Sequence, residues 1–243
     1  MNLKRIQGTH VLVTGANRGI GQAFTRSLLT RGAERVYAAV RDPANITTLD
    51  TSDNRLIPVI LDITNSDDIQ RVKQTLPRLD LLINNAGTAF PSTYSAASAL
   101  SSARQEMNTN YFGPLELSTA LLELLRQSPN AGIINVSSIA GITNFKALGT
   151  YSASKAAAHF LTQGLRAEVG PAGIFVAGVY PGPVDTRMAA GFEMHKPSAH
   201  EVAEVVLDAY QAAVEDIFPD AFSRAMADMF FQNPKALEQE FAK

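Results

Sequence analysis

The chain contains no cysteine, which excludes disulfides, thiolate metal centres and cysteine nucleophiles together. It lacks a charge excess: 21 basic residues against 23 acidic ones leave a net −2, no electrostatic footprint for nucleic acid or an anionic membrane. No uninterrupted apolar run approaches the ~18 residues of a membrane span. In the opening MNLKRIQGTHVLVTG, residues Gln7, Gly8, Thr9 and His10 interrupt any signal-peptide core. His10, His159, His195 and His200 show no ligand spacing, with Pro197 between the last two, so no metal site is expected. No linker, charge block or repeat divides the chain, and the Ala/Ser stretch Ser95–Ala103 reads as a loop entering a helix. What remains is a cytoplasmic globular protein whose 243 residues, 46% hydrophobic, are ample for one core.

Short β-branched runs alternate with helix-length amphipathic segments. Strands are expected at His10–Thr14, Arg35–Val40, Leu56–Leu61, Leu79–Ile83, Gly132–Ser137 and Ile174–Val179. These runs are nearly continuous in apolar residues, as in strands buried on both faces of a parallel sheet. Helices are expected near 19–31, 66–76, 97–127, 151–169 and 199–213. The alternation implies one α/β domain over residues 1–243, a doubly wound, Rossmann-type parallel sheet.

The first strand runs into Thr14-Gly15-Ala16-Asn17-Arg18-Gly19-Ile20-Gly21 and then a helix. Gly15 permits a tight turn, Gly19 lets the backbone approach a pyrophosphate, and Gly21 lets helix and strand pack closely. The helix N-terminus adds free N–H groups and partial positive charge. The second strand ends Ala39-Val40-Arg41-Asp42. Arg41, with Arg18 in the glycine turn, suits a ribose 2′-phosphate and hence NADP(H). Asp42 argues the other way, since it can bond a bare ribose hydroxyl.

Tyr151 and Lys155 stand four apart at the start of an Ala-rich helix and share a face. A tyrosine of pKa near ~10 is a poor proton donor at neutral pH, and a nearby ammonium lowers that value. Ser138 ends the fifth strand thirteen residues before Tyr151. With these motifs in place, the sequence resembles the short-chain dehydrogenase/reductase family over about residues 9–188. TGANRGIG (14–21) resembles its cofactor turn and Asp62 in LDI, beside Ile63, its adenine contact. NNAG (84–87), with Asn84, Ala86 and Gly87, resembles the fourth-strand motif, and Asn110 the helix asparagine. SSIAG (137–141) and YSASK (151–155) resemble the catalytic motifs. The run from Tyr180 to Thr186, with Pro181, Gly182 and Val184, resembles the P-G segment.

The resemblance implies roles. Tyr151 is the general acid or base and Ser138 hydrogen-bonds the reacting oxygen. Lys155 bonds the nicotinamide ribose and lowers the tyrosine pKa, Asn110 holds a water in a proton relay, and Thr186 with the Val184 backbone binds the carboxamide. The activity so implied is NADP(H)-dependent reduction of an apolar or aromatic ketone or aldehyde, or oxidation of the corresponding alcohol. The alternative is a dinucleotide-binding regulatory protein without turnover; a dehydratase or isomerase is a third reading.

Two features depart from the family. The end from Val214 to Lys243 carries no glycine, where many members have a seventh strand and a glycine-rich motif that builds a tetramer. A short strand at 215–218 followed by a polar–apolar tail is expected, with a homodimer, or a homotetramer, built through the long helices. The segment after Thr186 is short, and Met188, Phe192 and Met194, with Phe90, Tyr94, Phe145 and Leu148, are equally core or substrate wall.

Overall fold

The computed structural model describes residues 3–242. In chain order its elements are β1 His10–Thr14, α1 Gly19–Thr30, β2 Arg35–Val40, β3 Leu56–Ile60, α2 Ser66–Thr75, β4 Leu81–Asn84, α3 Ala99–Met107, α4 Gly113–Arg126, β5 Gly132–Val136, α5 Gly149–Val169, β6 Phe175–Val179, α6 Ala199–Gln211, β7 Asp216–Ile217, α7 Ala221–Gln232 and α8 Pro234–Phe241. The strands form one sheet in the order β3-β2-β1-β4-β5-β6-β7, every pair parallel. The order reverses between β1 and β4, so the crevice at their carboxyl ends is where a ligand is received.

Both faces are covered, which explains the lack of polar alternation in the strands. Val11, Val13, Ile83, Ile134 and Ala177 pack with α1 and α6. Leu12, Leu82, Ile133 and Val176 pack with α2, α4 and α5. A polar chain crosses the second layer: Asn84 Nδ2 donates to Ser118 Oγ at 2.9 Å and Asn135 Oδ1 at 2.8 Å, and Asn135 Nδ2 to Thr162 Oγ1 at 3.0 Å.

Two expectations needed revision. The helix expected over 97–127 is broken by a π-helical turn at Asn108–Phe112. Pro114 supplies a local cause: it has no N–H, so it cannot bond the Asn110 carbonyl four residues back. The expected tail is two helices. Asp220 and Ser223 cap α7 reciprocally; Asn233 caps α8, with Pro234 in its first turn. Their apolar side chains pack inward, Ala227 and Leu237 being buried, and Phe218 stacks on Tyr180 with ring centroids 5.2 Å apart.

Candidate active site

The turn after β1 needs its glycines. Gly15 and Gly19 have φ of +64° and +52°, a region costly for other residues. A Cβ on Gly15 would stand 3.0 Å from the Ala86 Cα, and one on Gly21 would collide with the Gly15 carbonyl. Thr14 and Asn85 tie this turn to the one after β4. Thr14 Oγ1 accepts the N–H groups of Asn85 and Ala86 at 2.9 and 3.0 Å, and Asn85 Nδ2 donates to the Thr14 carbonyl at 2.8 Å. Helix α1 begins after Arg18 with no side-chain cap and no acidic residue in its first turn. Its first N–H groups therefore have neither a capping side chain nor an opposing anion. From the other side, the Thr186 methyl lies 3.1 Å from where a Gly19 Cβ would sit. This cradle, with half-buried Asn17 and Ile20 on its rim, fits the pyrophosphate of a dinucleotide.

Arg41 and Arg18 are both exposed at that end of the sheet. Asp42 Oδ1 accepts the Ala44 N–H at 2.9 Å and caps the 3₁₀ turn Pro43–Thr48, which leaves its exposed Oδ2 able to accept a ribose hydroxyl. Asp62 closes its own turn through Oδ1, on the Thr64 N–H and hydroxyl at 2.9 and 2.7 Å. Three residues expected at the cofactor have side chains or donors already engaged. Asn84 is buried in the polar chain under the sheet, and the Ile63 side chain is core. The Gly182 N–H donates to Asp220 Oδ2 at 2.8 Å. Only backbone remains for such a role at Asn84 and Ile63, and at Gly182 the backbone without its N–H.

Ser138, Tyr151 and Lys155 come together at the carboxyl ends of β5 and β6, all nearly buried. The Ser138 hydroxyl accepts the Ala140 N–H at 3.1 Å and is hydrogen-bonded to the Tyr151 phenol. Lys155 Nζ donates to the Val136 carbonyl at 3.0 Å and lies 5.8 Å from the Tyr151 ring centroid. A Cβ on Gly87 would meet both Lys155 Nζ at 3.5 Å and Asn110 Oδ1 at 3.3 Å, so the NNAG backbone runs directly over this pair. Asn110 itself is engaged: Oδ1 accepts the Thr88 N–H, and Nδ2 donates to the Thr88 carbonyl and to Ser154 Oγ, each at 2.9 Å.

The electrostatics correct one expectation. Burial pushes the Tyr151 phenol up to about 12, only partly offset by Ser138, and brings the Lys155 ammonium down to about 8. Desolvation thus outweighs the Ser138 hydrogen bond, and the protein's own groups do not lower the tyrosine toward neutrality.

The outer wall combines two loops with the chain's end. Tyr94 OH donates to the Gly149 carbonyl at 2.9 Å, and Ser92 bridges to Leu148. Phe145 packs on Phe241 of α8, ring centroids 4.3 Å apart. Phe222 of α7 presses on Gly182, where a Cβ would stand 2.7 Å from its Cδ1. Met188, Phe192 and Met194 are 53%, 42% and 40% exposed, so they are not core. Sequence reading missed Asp220, Phe222 and Phe241, because nothing local ties that tail to residue 182 or 145. It also passed over Thr14, Asn85 and Ser154, though all three stand inside recognised motifs.

Comparison with known proteins bears on the family and the fold. Residues 9–196 match the short chain dehydrogenase family. The crystal structure of a short chain dehydrogenase from Burkholderia cenocepacia in complex with NADP is 35% identical, with TM-score 0.92 over 98% of this chain and 99% of that one. NADPH-bound carbonyl reductase from chicken fatty liver is 30% identical, with TM-score 0.77 over 84% and 92%. A short chain dehydrogenase/reductase from Burkholderia phymatum in complex with NAD, 20% identical with TM-score 0.83 over 96% of each chain, shares the fold.

Proposed function

The chain belongs to the short-chain dehydrogenase family, and we propose that within it the protein transfers a hydride between NADP(H) and an apolar or aromatic ketone or aldehyde, or the corresponding alcohol. The observation that carries this reading is the hydrogen-bonded Ser138–Tyr151 pair with the buried Lys155 ammonium beside it. A dinucleotide binder without turnover has no chemical need for a phenol so placed.

A bound nicotinamide supplies or accepts the hydride and, when oxidised, contributes a positive charge. The chain's residues do the rest. The glycine turn and the start of α1 hold the pyrophosphate, and Arg18 and Arg41 the 2′-phosphate. Lys155 holds the ribose hydroxyls, Thr186 and the Val184 backbone the carboxamide, and the Pro181–Gly182 segment the nicotinamide side. Ser138 donates to the substrate oxygen as charge develops there, and Tyr151 delivers the proton. Tyr151 keeps that proton well past neutrality, the form carbonyl reduction uses. The Asn110 side chain is tied to Thr88 and Ser154, and Pro114 offers no N–H to the Asn110 carbonyl, so we assign the Asn110 part in a proton relay to that carbonyl. Phe145, Phe222, Phe241 and Tyr94 make the substrate wall aromatic.

We further propose self-association through the exposed groove between α4 and α5, where Leu115, Leu161 and the 69%-exposed Phe160 lie together. Light scattering of the wild type and of Phe160→Glu tests it; identical masses overturn it. NADPH consumption over a panel of ketones and aldehydes, beside NADH, tests the main reading. Tight NADPH binding with no turnover of any carbonyl replaces the enzyme with the regulatory binder.

A further inference from the structure

Glu106 on α3 has no exposed surface, and nothing in the chemistry above uses it. Its Oε1 accepts the Phe90 N–H at 2.8 Å. One turn on, Asn110 Oδ1 accepts the Thr88 N–H at 2.9 Å. The two side chains form a two-rung clamp that holds the loop beyond NNAG against the helix. The second oxygen, Oε2, is buried with no hydrogen-bond partner, a costly state for a carboxyl oxygen in a dry interior.

Helix packing shows where the partner stands. Helices α3 and α5 pack together, and each runs back from one parallel strand to the start of the next, so they run in the same direction. Asn110 Nδ2 bonds Ser154 Oγ across them at 2.9 Å. One turn earlier on each helix stand Glu106 and Thr150. Thr150 is 3% exposed, and its Oγ1 is also buried without a partner. The parallel run therefore sets two unpartnered oxygens on facing turns, next to Tyr151.

We propose that Glu106 is a positioning residue of the catalytic centre, its Oε1 fixing the loop at Phe90 and its Oε2 joined to the Thr150 hydroxyl through one buried water. Three polar groups then face the Tyr151 phenol: Lys155 from its own helix, Ser138 from the loop after β5, and Glu106 from α3. The Glu106 charge opposes phenolate formation, so the same residue that locks the loop also helps Tyr151 keep its proton.

The inference rests on Tyr151 being the acid, and its test does not need turnover. Glu106→Gln keeps the volume and an acceptor for Phe90 but removes the charge. Phenolate absorbance, taken as the difference between each protein and its Tyr151→Phe counterpart, reads Tyr151 alone. It is expected to ionise on the order of one pH unit lower in Glu106→Gln than in the wild type. Thr150→Val removes the hydroxyl at constant volume and lowers stability, while Thr150→Ser restores it. Combined with Glu106→Gln, Thr150→Val is non-additive by about fivefold or more in the unfolding equilibrium. An unmoved phenol titration, or strict additivity of the two substitutions, overturns the proposal. A wild type that reduces no carbonyl overturns the proposed function and leaves this titration still decisive.

Discussion

On the proposed function the carboxyl edge of the sheet has a cofactor side and a substrate side, and the two are built by different means. On the cofactor side the shape is made by backbone: the positive φ of Gly15 and Gly19, the Gly21 contact, and the Thr14–Asn85 bonds between neighbouring turns. On the substrate side it is made by side chains from segments far apart in sequence, Phe145 on Phe241 and Phe222 over Gly182. Backbone shape tolerates one residue type per position, whereas an aromatic wall can be repacked. The first suits a ligand that does not vary, the second a substrate that does. The catalytic triplet sits where the sides meet. Asp220 joins them, its Oδ1 capping α7 at Ser223 and its Oδ2 holding the Gly182 N–H, both at 2.8 Å.

Substitutions at the meeting point test the division most severely. Tyr151→Phe removes one hydroxyl and keeps the ring, so kcat is expected to fall about 10²–10⁴-fold, the range of a lost general acid. NADPH affinity should stay within a few-fold, because the cofactor side is untouched. Steady-state kinetics and a fluorescence titration check both halves; a rate within tenfold of wild type removes Tyr151 from the mechanism.

Lys155→Met should damage cofactor binding and yet stabilise the fold. The ammonium titrates at about 8 in the fold against an ordinary 10.5, so between those values the unfolded chain binds more protons. Wild-type stability attributable to this group therefore rises with pH across that window and is lowest below pH 8. The full difference is about 3 kcal/mol, reduced by the lost bond to the Val136 carbonyl. Denaturant unfolding should show the variant's advantage at pH 7 shrinking toward pH 10; Tyr151 titrates higher in both proteins and cancels. An advantage that does not change with pH denies that the buried charge is its source.

The same division explains what was legible beforehand. The β1 and β2 bounds, the glycine turn and the Tyr151–Lys155 face were all readable, because each is a local pattern of glycine, β-branched residues or helical spacing. The π turn was not, although Pro114 marks it, because a proline near a helix start reads equally as an ordinary first-turn proline. Helices α7 and α8 carried capping signals at Asp220 and Asn233. Asn84 was readable as polar and adjacent to the cleft, but which way its side chain points depends on the strand's pleat, and the pleat sends it to Ser118 and Asn135. The lowered tyrosine pKa was inferred from Lys155 and the oxidised nicotinamide; within the protein alone burial, a tertiary property, decides the direction.

A purely cofactor-side change should leave the substrate side alone. Arg41→Ala removes an exposed guanidinium, and a charge-assisted bond to phosphate contributes roughly 1.5–3 kcal/mol before solvent screening. NADPH use should weaken about tenfold in kcat/KM, with NADH nearly unchanged since it has no 2′-phosphate. Asp42 caps at Ala44 through Oδ1 alone, and a bond from its second oxygen to the bare ribose would narrow the preference for NADPH. Equal use of both cofactors by the wild type overturns the NADP assignment.

The smallest expected effect is the sharpest test of separability. Phe241→Ala removes one ring of the Phe145–Phe241 pair near the end of α8. An aromatic pair adds about 0.5–1.5 kcal/mol beyond its buried area, so the wall should loosen by a few-fold to about tenfold in substrate recognition. KM for a small ketone should rise while that for a bulky aryl ketone falls, kcat for both staying near wild type, because Ser138, Tyr151 and Lys155 do not move. The helix should survive, its cap at Asn233 and the buried Leu237 being untouched. NADPH affinity is the control: it should stay within a few-fold, since the Gly182 N–H is held by Asp220, although Phe241 backs Phe222 with ring centroids 6.5 Å apart. If Phe241→Ala weakens NADPH as much as it alters KM, the C-terminal helices belong to both sides and the division fails. If neither parameter moves for any substrate, Phe241 packs against Phe145 without reaching the substrate at all.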